Sequence, residues 1–213
     1  MVIYGAPETW KSWLGIELAW ALDEGNKWLG LYETIPARVL LVQTEQVEAV
    51  YRDRIVAFSH SLNGSSPSNV LFATDLSLKI DNAFGKALLD STCAEHKPDV
   101  FILDNLFHTI SSERDEVVMK AATETFDLMR EKYNVGCVIT HHPRKEGDED
   151  RGFDELSGSS VLARWADTII KVTTVERRAD IYQMDFQKTK NAKTRVSPIR
   201  FRANRSTVRL NIH

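Results

Sequence analysis

Two hydrophobic rhythms alternate along the chain. Residues 2–4, 38–43, 100–104 and 136–140 are short apolar runs with little polar interruption, and 70–74 is another. Runs of this length, bounded by polar residues, predict strands buried on both faces. Between them lie segments with helical spacing: 11–24, 46–59, 82–95 and 115–132. In the first, Trp13, Leu14, Leu18, Ala21 and Leu22 fall on a helical repeat, and Gly25-Asn26 is a stop signal. Residues 60–69 (HSLNGSSPSN) form a loop too short for a domain linker. Strand and helix in alternation predict an α/β fold, a mostly parallel sheet flanked by helices. After residue 166 the rhythm changes. Segments 167–174, 181–188, 198–201 and 207–210 read as strands joined by short turns, an antiparallel extension. The expected organisation is one domain over 1–213, with a parallel core to about 166 and the extension over 167–213.

Composition narrows the function. With 27 basic and 30 acidic residues the net charge is −3, so no global basic field coats nucleic acid or an acidic membrane. A local basic strip stays open. Cys93 and Cys137 make neither a zinc-binding spacing nor a disulfide framework, which suits a reducing compartment. No basic segment followed by an apolar one opens the chain, and no run of 18 apolar residues exists. The expectation is a cytoplasmic protein without a membrane partner.

The strongest chemical signal is Gly5-Ala6-Pro7-Glu8-Thr9-Trp10-Lys11-Ser12, between a strand and a helix. It fits G-x-x-x-x-G-K-[ST] at every position but one, because Trp10 stands where the second glycine belongs. Such a loop aims backbone N–H groups at phosphates, sets a lysine on the β- and γ-phosphates and offers a hydroxyl to Mg²⁺. Glycine at that place often takes a backbone conformation that costs other residues energy. The Trp10 ring is expected to pack on the loop or on its helix. An ordinary β–turn–α with a surface lysine is the alternative. Three strand ends reduce it: Asp104 closing VFILD, Glu45 after RVLLVQ, and Thr140-His141-His142 closing GCVIT. Ligands of open α/β sheets gather at that edge.

In order and spacing, the segments GAPETWKSWLGIELAWAL, RVLLVQTEQ, PDVFILDNL, VITHHPRK, LSGSSVLARWADTIIKV and FQKTKNAK resemble the RecA-like P-loop ATPases. The resemblance is to the plasmid RepA-type replicative helicases and the AAA-type ATPases of phages and plasmids. It implies that ATP lies on residues 5–13, from Gly5 to Trp13, with Ser12 and Asp104 at Mg²⁺. Glu45 is similar to the catalytic glutamate after the second strand, and His141 occupies the place of a γ-phosphate sensor. Lys188-Thr189-Lys190-Asn191 is similar to the K-x-R-N segment of DnaB-type helicases, whose basic pair reaches a neighbouring subunit's ATP. Here Lys190 replaces the arginine and lacks its planar fork. Arg144, Lys145 and Arg151 fall where the family's DNA-contacting loop lies, in a segment that also holds six acids. Arg195, Arg200, Arg202, Arg205 and Arg209 make a second basic cluster, which strand alternation could gather on one face.

The resulting expectation is a Mg-ATP-hydrolysing motor acting on single-stranded or duplex DNA. It would work as a homo-oligomer, a hexameric ring or a filament. Two rivals stand beside it. One is a non-hydrolysing, nucleotide-gated DNA-binding or regulatory module. The other is a small-molecule P-loop kinase, which would lack antiparallel C-terminal strands. No [NT]KxD guanine-reading motif occurs.

Overall fold

The computed structural model describes residues 1–113, 115–142 and 160–213. Its frame is one sheet of nine strands among the described residues: β1 (Val2–Gly5), β2 (Val39–Gln43), β3 (Val70–Thr74), β4 (Val100–Asp104), β5 (Gly136–His141), β6 (Thr168–Glu176), β7 (Ile181–Thr189), β8 (Ile199–Asn204) and β9 (Arg209–Ile212). The spatial order is β3-β2-β4-β5-β1-β6-β7-β8-β9. Five α-helices accompany it among the described residues: α1 (Lys11–Glu24), α2 (Glu48–Ser61), α3 (Ala83–His96), α4 (Glu116–Tyr133) and α5 (Ser160–Trp165).

Local chemistry sets the helix ends. Asn82 and Asp115 accept hydrogen bonds from the N–H of Gly85 and Val117, capping α3 and α4. Gly25 closes α1 at φ 69°, where a side chain would also strike Pro36. None of the described helices is long and apolar enough to cross a membrane.

Strand parity divides the core. Val2, Tyr4, Leu40, Val42, Phe101, Leu103 and Ile139 face α3, α4 and α5. Ile3, Val39, Leu41, Ile102, Val138 and Ile170 face α1 and α2. Both faces are covered, so the central strands bury nearly every side chain and read as unbroken apolar runs. Two residues along any strand therefore return to the same helix layer, and this count decides below which strand-end side chains meet.

The antiparallel extension exists, with its direction changing one strand later than the rhythm suggests. β6 pairs parallel with β1 and antiparallel with β7. An apolar strand shows its burial in sequence, not its direction. β7, β8 and β9 then run antiparallel, and Tyr182, Met184, Phe201 and Leu210 join the α1 layer.

Candidate functional site

The loop from Gly5 to Ser12 leaves the C-terminal end of β1 and enters α1. Gly5 has no room for a side chain: a Cβ there would meet the Val172 carbonyl oxygen at 2.3 Å and Thr9 Oγ1 at 2.9 Å. The loop is tied internally by Thr9 Oγ1 donating to the Ala6 carbonyl at 2.8 Å. Trp10 takes the left-handed conformation expected of the missing glycine, φ 66° and ψ 18°. For a residue with a Cβ this costs about 1–2 kcal/mol. The indole packs as expected on the helix, its ring 5.8 Å from that of Trp13.

Trp10 is also the residue before α1, and it places no side-chain cap on the helix; no acid occupies the first turn. The first amides of α1 therefore present partial positive charge to the cleft without an internal carboxylate competing for them. Lys11 is buried and its Nζ donates to the carbonyls of Gly5 and Ala6, both at 2.7 Å. Burial pulls its pKa down to about 8, against Asp104 and Glu45, which raise it.

Across a cleft of about 530 Å³ stand the strand-end groups. Asp104 is buried, and its Oδ1 accepts from Thr140 Oγ1 at 2.5 Å. Asn105, next in the chain, donates from Nδ2 to Glu45 Oε2 at 2.9 Å and lies 3.2 Å from His142 Nε2. Thr44 holds that corner, its hydroxyl donating to the Asn105 carbonyl at 3.0 Å. The cleft is lined by Pro7 through Trp13, Glu45, Gln46, Arg54, Asp104, Asn105, His142, Arg205 and Val208. Lys11, Ser12, Glu45 and Asp104 thus converge as the sequence suggests.

His141 does not join them. It pairs in register with Tyr4 and shares the parity of Ile139, which puts it on the α3–α5 side of the sheet. It is fully buried, and burial, with His142 and Lys11 adding, pushes its pKa down to about 3, so the ring is neutral. His142 has the parity of Thr140 and lines the cleft instead. Counting by twos from Val138 would have selected it.

Lys188 and Lys190 lie away from this chain's own loop. Lys188 is paired with Ile169, itself beside Val2, at the opposite end of β1 from Gly5. Lys188 Nζ donates to the Ala163 and Arg164 carbonyls at 2.9 and 3.1 Å, closing the end of α5. Lys190 sits 3.3 Å from Asp167. Arg144, Lys145 and Arg151 fall outside the described residues. The second arginine cluster is divided. Arg200 and Arg202 point to solvent from β8, while the Arg205 guanidinium lies over Trp10 at 6.0 Å and that of Arg209 over Phe58 at 5.6 Å.

Sequence reasoning missed Asn105, Gln46, Arg54 and the role of Arg205 at the cleft, and of the two histidines it named at the end of β5 it gave the sensor's place to His141. Asn105 carried a signal, as the polar residue following a strand-end acid. Arg205 carried none, since it sits in the β8–β9 turn, far along the chain from the loop it meets.

The donor set at the cleft fits a magnesium nucleotide. Ser12 and Asp104 offer hard oxygen donors, and Lys11 with the first α1 amides offers the anion site. No group of three or more potential metal ligands forms among the described residues, so such an ion would depend on phosphate oxygens as well.

The strand order, phosphate loop and strand-end acids define a RecA-like P-loop fold. A family model described as AAA domain matches residues 1–148, and the chain belongs to that family. Among solved structures, one ATPase domain superposes with a TM-score of 0.72 at 11% identity, covering 99% of this chain and 83% of that one. A DnaB-like replicative helicase, solved in a study of its interactions with primase, gives 0.74 at 12% identity over 99% of this chain and 57% of that chain. The chain thus spans little more than half of that helicase. The flagellar accessory protein FlaH from Methanocaldococcus jannaschii gives 0.69 at 15% identity, covering 100% of this chain and 88% of that one. No curated protein matches the sequence.

Proposed function

We propose that the chain is a single ATPase domain that binds Mg-ATP, hydrolyses it and couples the cycle to DNA as a helicase-like motor. The observation that carries the reading is the convergence of Lys11, Asp104 and Glu45 on one cleft at the start of α1. In this reading Lys11 turns from the loop carbonyls to the β- and γ-phosphates, and Glu45, oriented by Asn105, aligns water on the γ-phosphorus. Water's oxygen bonds to phosphorus as the bond to the bridging oxygen breaks, and Glu45 takes the proton. Ser12 and Asp104 would hold Mg²⁺, which when bound would supply charge neutralisation of the phosphates. Rate enhancement comes from positioning and electrostatics. The antiparallel strands β7–β9 count against the kinase alternative.

DNA as partner rests on the resemblance to DnaB-like helicases, with Arg144, Lys145 and Arg151 as the contacts it implies. A cytoplasmic setting accords with two buried free thiols, Cys93 and Cys137. The test is ATP turnover with and without single-stranded DNA. Stimulation by DNA is the expected result; bound nucleotide with zero turnover under both conditions would leave the regulatory-module reading. The engagement of Lys188 with α5 and of Lys190 with Asp167 favours that second reading.

Assembly gives Lys190, with Lys188 as helper, a role across an interface, because both lie at the far end of β7 from their own loop. Mixing Lys11→Ala with Lys190→Ala protein is expected to restore part of the turnover, through interfaces that join an intact loop to an intact lysine. Wild-type turnover by Lys190→Ala alone would remove it from the reaction.

A further inference from the structure

Two non-glycine residues of the phosphate loop have left-handed backbones, Glu8 at φ 63° and Trp10 at φ 66°, and both are met by side chains from the C-terminal part of the sheet. Glu8 faces Arg177, which follows β6, at 3.6 Å; both side chains are highly exposed, so this contact is weak. Trp10 is held more firmly. Its Nε1 donates to the Tyr182 hydroxyl at 3.2 Å, and the Arg205 guanidinium covers its ring at 6.0 Å.

Neither partner is loose. Tyr182 is buried, in β7, and stacks on Phe201 of β8 with ring centroids 5.5 Å apart. Arg205, in the turn between β8 and β9, is oriented by Asp180, whose carboxylate accepts from Nε at 3.0 Å and from Nη2 at 2.8 Å. Asp180 is itself fixed through its carbonyl, which accepts from the Ala203 N–H at 2.9 Å. β7 and the β8–β9 turn therefore converge on one indole.

We propose that Tyr182 and Arg205 are positioning residues of the phosphate loop: by holding the Trp10 ring they keep its backbone left-handed, which a glycine would do unaided. Substituting tryptophan for the loop's second glycine exchanges freedom for dependence. An unrestrained tryptophan would relax to a right-handed or extended conformation and turn the neighbouring amides away from the cleft. The braced loop keeps them aligned as long as the β7–β9 strands are seated. This role rests on the nucleotide-binding reading above.

The experiment is a pair of double-mutant cycles on the full chain, with Mg-ATP affinity read by calorimetry. Tyr182→Phe keeps the stack on Phe201 and removes the hydroxyl. Arg205→Ala removes the cation, and Arg205→Lys retains it. In the Trp10 protein, Tyr182→Phe and Arg205→Ala are each expected to weaken binding by about tenfold, and Arg205→Lys to recover most of the loss. In a Trp10→Gly background, the same changes are expected to alter affinity by less than about twofold, since no ring is left to hold. Unchanged affinity in the Trp10 protein, or equal losses in both backgrounds, would overturn the proposal. If wild-type protein binds no Mg-ATP, the nucleotide reading falls, and the brace is read from urea unfolding of the same variants. Non-additive stabilities linking Trp10 to Tyr182 and Arg205 would then sustain it, and additive ones would overturn it.

Discussion

Lys11→Ala will abolish measurable Mg-ATP binding while the protein stays folded. The lysine lies at the start of α1 with its amine on the loop carbonyls, the only side-chain cation between Gly5 and Ser12. Each hydrogen bond from a charged donor to a phosphate oxygen contributes about 1.5–3 kcal/mol, so two such bonds correspond to a loss of roughly 10²–10⁴-fold in affinity. Folding should not suffer. Burial already works against the charge, which is why the pKa falls to about 8, and alanine is a good helix former. The same shift gives wild-type binding a pH dependence. A phosphate-bound lysine keeps its proton, whereas the free loop loses it as pH rises through about 8. Affinity should fall about tenfold between pH 7 and pH 9. Titrations of folded Lys11→Ala protein that show unchanged affinity would end the phosphate-loop assignment. A flat profile from pH 7 to 9 would show that the lysine brings no titrating charge to the ligand.

Periodicity exposed the sheet because the strands are buried on both faces, and an unbroken apolar run of five residues has few other uses. The positions of Lys11, Ser12, Asp104 and Glu45 were legible for a related reason. Asp104 closes such a run, Glu45 stands two positions beyond one, and Lys11 and Ser12 open the helix after the loop that leaves one, so chain order alone places them at the sheet's edge. The left-handed backbone at Trp10 was legible as well, since the loop needs that conformation whichever residue occupies it. What escaped was information carried between strands. His141 and His142 are adjacent in sequence and fall on opposite faces, and choosing between them requires knowing which helices cover which side. Arg205 looked like one member of a basic cluster. Its partners, Asp180 and Trp10, lie 25 and 195 positions away along the chain, and only the seating of β8 beside β7 brings them together. The direction of β6 escaped likewise, because parallel and antiparallel neighbours bury the same kinds of side chain.

Glu45→Gln should leave Mg-ATP bound and stop hydrolysis. Glu45 follows β2 at the edge where the cleft opens, and its Oε2 accepts from the Asn105 amide at 2.9 Å. A carboxylate has further lone pairs to offer, so this contact can fix the group's orientation while it still accepts a proton from water. Glutamine preserves the shape, and its amide oxygen can still accept from Asn105, but an amide cannot act as a base at neutral pH. Binding should change little, because Lys11 and the α1 amides carry the phosphates. Losing a positioned general base costs about 10²–10⁴-fold in rate. The check pairs two measurements on one preparation: nucleotide affinity, and single-turnover release of phosphate. Affinity within a few-fold of wild type with phosphate release at least a hundredfold slower is the expected pair. Hydrolysis at the wild-type rate would move the base elsewhere, and His142 is then the next side chain to replace. It lies 3.2 Å from the same Asn105 amide and lines the same cleft, and burial holds its pKa below the usual histidine value, so the neutral ring could accept a proton near neutral pH.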